Sequence, residues 1–258
     1  MTTTRTKAIF VVLAVAASCG VAAAQSPPDD PHCGFEADSD VDASLGPAER
    51  AAAELCKASA RGDTETVQRM LKAGVNPNIP QQSNLTPLAW AARCGHLDTV
   101  AALVAGGADV NARFVFWVTE MWRIHDSTAL FWAARNDQVD IVKYLLSAGA
   151  DPHQREQNYK VTELDPATDT YSDPGGDVLY GAHDPRVVEL LLAAGAPPDV
   201  PGPRTRLMEA AVGGEVEVCR LLLKYGADKR LKDADGLTAY ELAKKYQPDN
   251  AELQALLK

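Results

Sequence analysis

Apolar and polar positions alternate along this chain in a pattern that returns five times. In its clearest form Leu97, Val100, Leu103 and Val104 recur at i, i+3, i+6 and i+7, which is one apolar stripe along a helix. A short glycine string follows: "LKAGVNPN" (71–78), "VAGGADVN" (104–111), "LSAGADPH" (146–153), "LAAGAPPD" (192–199) and "LKYGADKR" (223–230). Its glycines, Gly74, Gly107, Gly149, Gly195 and Gly226, are spaced by 33, 42, 46 and 31 residues, so the middle intervals carry insertions. A glycine just past an apolar stripe predicts a helix ended by a left-handed residue. Ahead of the second stripe, "NLTPLAWAARCGH" predicts another helix, with Thr86 as N-cap and Pro87 at its first position.

A helix pair of this size cannot bury its apolar face alone, so a chain of such units must stack. The repeating text resembles the ankyrin repeat, whose pattern runs roughly G-x-T-P-L-H-x-A-A-x-x-G-H, then V-x-x-L-L-x-x-G-A-D-x-N. Thr86, Pro87, Leu88, Ala91, Ala92, Gly95, His96, Val100, Leu103, Gly107, Ala108, Asp109 and Asn111 carry the likeness. Asn84 stands where the family has Gly, and Ala89 where it has His. The third unit ("STALFWAARND") and the fifth ("RTRLMEAAVGG") keep less of the signature. The resemblance implies an all-α solenoid of stacked helix pairs with β-hairpin fingers, about six repeats including caps. The expected division is a leader over 1–24, a Pro/Asp-rich linker over 25–47, and a repeat domain over 48–258. Within that domain the units fall at 48–78, 79–111, 112–153, 154–200, 201–230 and 231–258.

One stretch is conspicuous against this background. Arg113–Ala134, "RFVFWVTEMWRIHDSTALFWAA", holds three Trp and three Phe in a chain that is 6% aromatic. Aligning the third unit on the second puts Trp132 at the position of Trp90, so both read as core, with Phe131 packed beside them. The remainder fills an excess of residues where the family places its finger. Its Phe, Val, Trp, Ile and Thr favour strands, which predicts a lengthened hairpin turning near Thr119–Glu120. Such a hairpin has two faces, one packed and one offered to a partner through Phe114, Phe116, Trp117 and Trp122. The other insertion, 154–177, is acidic and turn-rich. It lacks the D-x-D-x-D-G order of a calcium loop and reads as a solvated loop.

Position by position, the resemblance implies a binding surface of Gln82, Ser83, Leu85 and Arg93 in the second unit. It adds Ser127, Arg135 and Asn136 in the third, Arg204 in the fifth and Lys245 in the sixth. Arg93, Arg135 and Lys245 share one repeat position, a basic row suited to an acidic patch on a protein partner.

Charge and cysteine usage narrow the partner and the compartment. Arg5 and Lys7, the apolar run Ala8–Ala17 and the "AAA" before Gln25 form an export leader too short to span a membrane comfortably. Cys19 in "AASC" offers a lipid anchor as the alternative, although Ala16 stands where a large aliphatic residue is usual. The leader's only charges are Arg5 and Lys7, so its loss takes the formal net charge from −10 to −12. That argues against nucleic acid or anionic membrane as a general partner. An exported, bacterial periplasmic protein is the expectation, monomeric and without membrane insertion once the leader is gone. Cys33, Cys56, Cys94 and Cys219 would remain. None has zinc spacing, Cys33 is placed to reach Cys56 or Cys94, with Cys33–Cys56 taken as the candidate disulfide, and Cys219 falls in an apolar stripe. No nucleophile elbow, P-loop, H-E-x-x-H or dinucleotide fingerprint occurs. The five His are scattered, and His153 and His183 flank the acidic insertion, whose Asp residues they would have to join to hold a metal. The expectation is a protein-binding module with no catalytic residue, no metal and no cofactor. The rivals are an accessory subunit bound permanently to an envelope enzyme or complex, and a metal-dependent enzyme built on 154–184.

Overall fold

The computed structural model describes residues 46–78, 85–119, 122–153, 178–200 and 204–258. Helices come in pairs: α1 (Pro47–Arg61) with α2 (Thr64–Lys72), and α3 (Pro87–Arg93) with α4 (Leu97–Ala105). Two strands follow, β1 (Phe114–Thr119) and β2 (Trp122–Ser127), then α5 (Ala129–Arg135) with α6 (Val139–Ser147). Next comes α7 (Pro185–Ala193), preceded among the described residues only by a turn at 178–181. The pairs α8 (Arg206–Gly213) with α9 (Val216–Lys224), and α10 (Ala239–Tyr246) with α11 (Ala251–Leu257), complete the chain.

Local chemistry accounts for where these helices start and stop. Thr86, Thr128, Thr205 and Thr238 occupy one repeat position, and each hydroxyl accepts the backbone N–H three residues on. That satisfies a donor the first turn would otherwise leave bare. At the other end of the pair, Gly74, Gly107, Gly149, Gly195 and Gly226 all adopt φ between 83° and 100°, as the sequence pattern predicts.

The apolar stripes are the core. Leu103, Leu145, Leu191 and Leu222 share one repeat position and are fully buried. Each such burial is of order 1.5–3 kcal/mol against the exposed side chain. Val100, Val142, Val188 and Cys219 share another, at most 1% exposed. Cys219 therefore stands in for an aliphatic residue, and burial pushes its thiol up to about 12, which leaves it inert.

The chain divides after Trp132 into two compact units. In the first, α1 packs on α3 and α2 on α4, and β1 pairs antiparallel with β2. The hairpin register matches Phe114 with Ser127, Phe116 with Ile124, Trp117 with Arg123 and Thr119 with Trp122, with irregularities between Phe114 and Phe116 and between Trp117 and Thr119. The hairpin predicted for this insertion is present, its strands ending at Thr119 and restarting at Trp122. Successive pairs are tied by polar links. His96 Nε2 lies 3.0 Å from the Ala60 carbonyl, the Thr64 and Thr99 hydroxyls meet at 2.7 Å, and Asn78 bonds both the Gly107 carbonyl and the Asp109 N–H. In the second unit α6 packs on α7, α7 on α9, α8 on α9 and α10, and α11 on α9 and α10.

One expectation needs correction here. Cys56 is a thiol outside any disulfide, 2% exposed, its Sγ directed at the Leu85 carbonyl, so the Cys33–Cys56 pairing does not form. Among the described residues the disulfide-bonded cysteine is Cys94; Cys33 lies outside them. Of the fourth unit the described residues hold one helix and a turn, and 154–177 lie outside them. No helix among the described residues is long and apolar enough to cross a membrane.

Candidate partner-binding surface

The basic position at the end of each first helix is differently occupied in each unit that carries it. Arg93 closes α3 with its guanidinium carbon 5.3 Å from the Trp90 ring centroid and 4.7 Å from that of Trp132. Trp90 is buried, Trp132 half-buried, and Phe131 meets Trp132 edge-on at 5.7 Å. These rings extend a cluster of Cys56, Ala60, Leu85, Ala89 and Trp90, against which Cys94 and Trp132 pack. Arg93 is thus clasped rather than loose, its fork held by two aromatic faces. The core reading of Trp90 and Phe131 holds, while Trp132 keeps part of its ring at the surface.

Leu85 does not belong to the exposed surface. It is 5% exposed and sits inside that cluster, because an apolar side chain just before the N-cap packs under the helix start. Gln82 and Ser83 lie outside the described residues. For Phe114, Phe116, Trp117, Trp122 and Ser127 the backbone of the hairpin is described and their rings and hydroxyl are not.

In the second unit Arg135 is half-buried, its side chain running past Gly181, whose Cβ, if present, would lie 3.4 Å from Arg135 Cγ. Asn136 beside it is exposed. Arg204 is already engaged, within 3.7 Å of both Glu209 and Asp233. Lys245 is exposed, with its ammonium 5.0 Å from the Tyr246 ring.

A second polar site was missed by the sequence reading. Arg206 occupies the first position of α8, where the second unit has Pro87, yet its side chain is 4% exposed. Its Nε donates to the Leu179 carbonyl at 3.0 Å, and its Nη2 donates to the Ala182 carbonyl and to Glu215 Oε2, each at 2.6 Å. Glu215 Oε1 also meets His183 Nδ1 at 2.6 Å. Burial works to raise the Glu215 pKa, but the bonds from His183 and Arg206 outweigh it and hold the carboxyl below its ordinary value. The same bond raises His183 above its ordinary 6.5, against partial desolvation. Close by, Asp137 takes the left-handed position that Gly95 fills earlier, at φ 52°, and its Oδ1 accepts the N–H groups of His183 and Asp184. The only signal in the sequence was the departure "TRL" from "TPL". Among the described residues no group of three or more His, Cys, Asp or Glu converges on a point that could hold a metal. His183 faces Glu215, and the 154–177 insertion lies outside the described residues.

Two family models match this chain: "Ankyrin repeats (3 copies)" over residues 55–156 and "Ankyrin repeat" over 204–234, together about half of it. The chain belongs to the ankyrin-repeat family. Among curated relatives, the putative ankyrin repeat protein FPV216 of fowlpox virus is 38% identical over 52 residues, 19% of this chain and 18% of that one. An ankyrin repeat-containing protein of Schizosaccharomyces pombe, P1E11.10, is 36% identical over 56 residues, 22% and 27%. The match thus spans about a quarter or less of either relative's length. Among solved structures, a chain of the Bd0816 predatory endopeptidase of Bdellovibrio bacteriovorus in complex with immunity protein Bd3460 aligns with a TM-score of 0.61. That likeness has 25% identity and covers 79% of this chain and 95% of the other. An ankyrin stack is a protein-binding architecture: pre-formed repeats present a surface with little ordering left to do on contact.

Proposed function

We propose that this ankyrin-repeat protein is a non-catalytic binding module of the cell envelope that recognises one protein partner through the hairpin and the ends of the first helices. The observation that carries the reading is Arg93 held between Trp90 and Trp132, close in sequence to the 114–127 hairpin. A cation fixed by two rings loses little side-chain freedom on pairing with a carboxylate. Arg135 supplies a second, half-exposed cation in the other unit. Export is supported by the leader-like first 24 residues and by the disulfide at Cys94, since such bonds persist in oxidising compartments.

A second, sharper reading takes its support from the endopeptidase–immunity protein complex: the partner is an exported peptidase, which this protein restrains. Both readings are tested by capture from envelope extract with the mature chain as bait, beside a Trp117→Ala/Trp122→Ala/Arg135→Ala variant. A partner retained by the first and lost by the folded second supports the module and its surface. Peptidase activity of the captured partner, suppressed by added bait, selects the sharper reading. Equal capture by both baits would remove the surface assignment.

A further inference from the structure

We infer that His183, Glu215 and Arg206 form a proton-sensed clamp that fastens the 178–184 segment of the fourth repeat to the fifth, tightest when His183 carries its second proton. Where other units have a first helix, the fourth shows only the turn at 178–181 among its described residues, and Val178, Leu179 and Ala182 are nevertheless buried. The Leu179 carbonyl accepts the Ala182 N–H at 3.4 Å, a long bond that leaves room for closer donors. Arg206 supplies the donors, reaching from the fifth repeat to Leu179 and Ala182. A buried guanidinium needs a counter-charge, and Glu215 provides it at 2.6 Å.

Glu215 then carries one negative charge for two claimants. As a carboxylate it only accepts, so His183 Nδ1 carries the hydrogen in their 2.6 Å bond whatever the state of Nε2. Asp137 faces the same loop through the N–H groups of His183 and Asp184. Asp184 is bonded side chain to side chain with Arg186 and adds no net charge. Arg135, two residues before Asp137, runs past Gly181, itself two residues before His183. With His183 neutral, the set of Arg206, Glu215 and Asp137 is net negative; protonating His183 balances it. Protonation also turns a bond with a charged acceptor alone into an ion pair charged on both sides.

The direction follows from linkage. Because the folded state raises His183 above its ordinary 6.5, the stabilisation is complete below that value and is lost as pH rises through the raised one. The imidazole is 63% exposed, so salt weakens the effect.

The test uses the full chain at low salt. Thermal unfolding followed by circular dichroism at pH 5.5 and pH 8 should show the wild type losing about 2 °C more between the two than His183→Gln. Histidine proton NMR of the wild type, with the His183 resonance assigned by its absence from His183→Gln, should titrate with a midpoint above 6.5. In Glu215→Gln that midpoint should fall back to about 6.5. Equal pH dependence in wild type and His183→Gln, or a wild-type midpoint at or below 6.5, overturns the clamp. Should His183→Gln fail to fold, the wild-type midpoint decides alone once assigned by sequential NMR.

Discussion

Replacing Arg206 with Met keeps an apolar stem of similar length and removes the guanidinium. What remains is two carbonyls, Leu179 and Ala182, and a carboxylate, Glu215, that had shared three short bonds with it. Orphaning a buried acceptor costs about 1–3 kcal/mol, and removing one partner of a buried ion pair about 3–5 kcal/mol. Glu215 is 21% exposed and recovers some hydration, so the lower end applies and the expected loss is about 3 kcal/mol. The assay must report the right part of the chain. All four Trp (90, 117, 122 and 132) lie before the division at Trp132, so indole fluorescence is blind to this site. Urea unfolding by far-ultraviolet circular dichroism reads both units, and hydrogen exchange over 178–219 localises the change. The control is Arg186→Met, whose side chain is 75% exposed and bonded only to Asp184, with an expected cost under about 1 kcal/mol. If Arg206→Met costs no more than the control, the buried-staple argument is wrong.

Three further outcomes follow from the geometry. Gly62→Ala places a Cβ 2.6 Å from His96 Nδ1 at φ 71°, so the ring must leave the Ala60 carbonyl, and thermal unfolding should show a loss of at least about 2 kcal/mol. Arg93→Ala removes two ring contacts and should cost about 0.5–2 kcal/mol, read by tryptophan fluorescence, which reports that unit. Non-reducing peptide mapping should find Cys94 oxidised and linked to a cysteine outside the described residues. Cys56 and Cys219 should alkylate only after unfolding, and a Cys56 disulfide would contradict the structure.

Periodic features were legible in the sequence because they repeat. The stripe ending at Leu103 and the glycine at 107 announce a helix and its stop, and the same letters recur four more times. Trp132 could be placed by its register with Trp90, and the hairpin by its excess of strand-forming residues. What escaped is what occurs once. Leu85 was assigned to a surface by family position, but one residue before a Thr N-cap the side chain turns inward. Arg206 reads in sequence as a weakened motif, whereas its side chain reaches the carbonyls of Leu179 and Ala182 in the preceding unit, a relation that no local window contains. Cys56 and Cys94 could not be told apart by spacing, since both are within reach of a long N-terminal segment. Burial of Cys56 among Ala60, Leu85 and Ala89 leaves it a packed thiol.

The central claim is the proposal that this ankyrin stack binds a protein through its hairpin and the basic ends of its first helices. Its most direct test is the affinity of the partner captured from envelope extract, measured against the mature chain and the Trp117→Ala/Trp122→Ala/Arg135→Ala variant. The account predicts at least a tenfold weaker Kd, about 1.4 kcal/mol, for a variant whose unfolding midpoint is unchanged. An unchanged Kd, or a loss matched by an equal loss of folding, would contradict it.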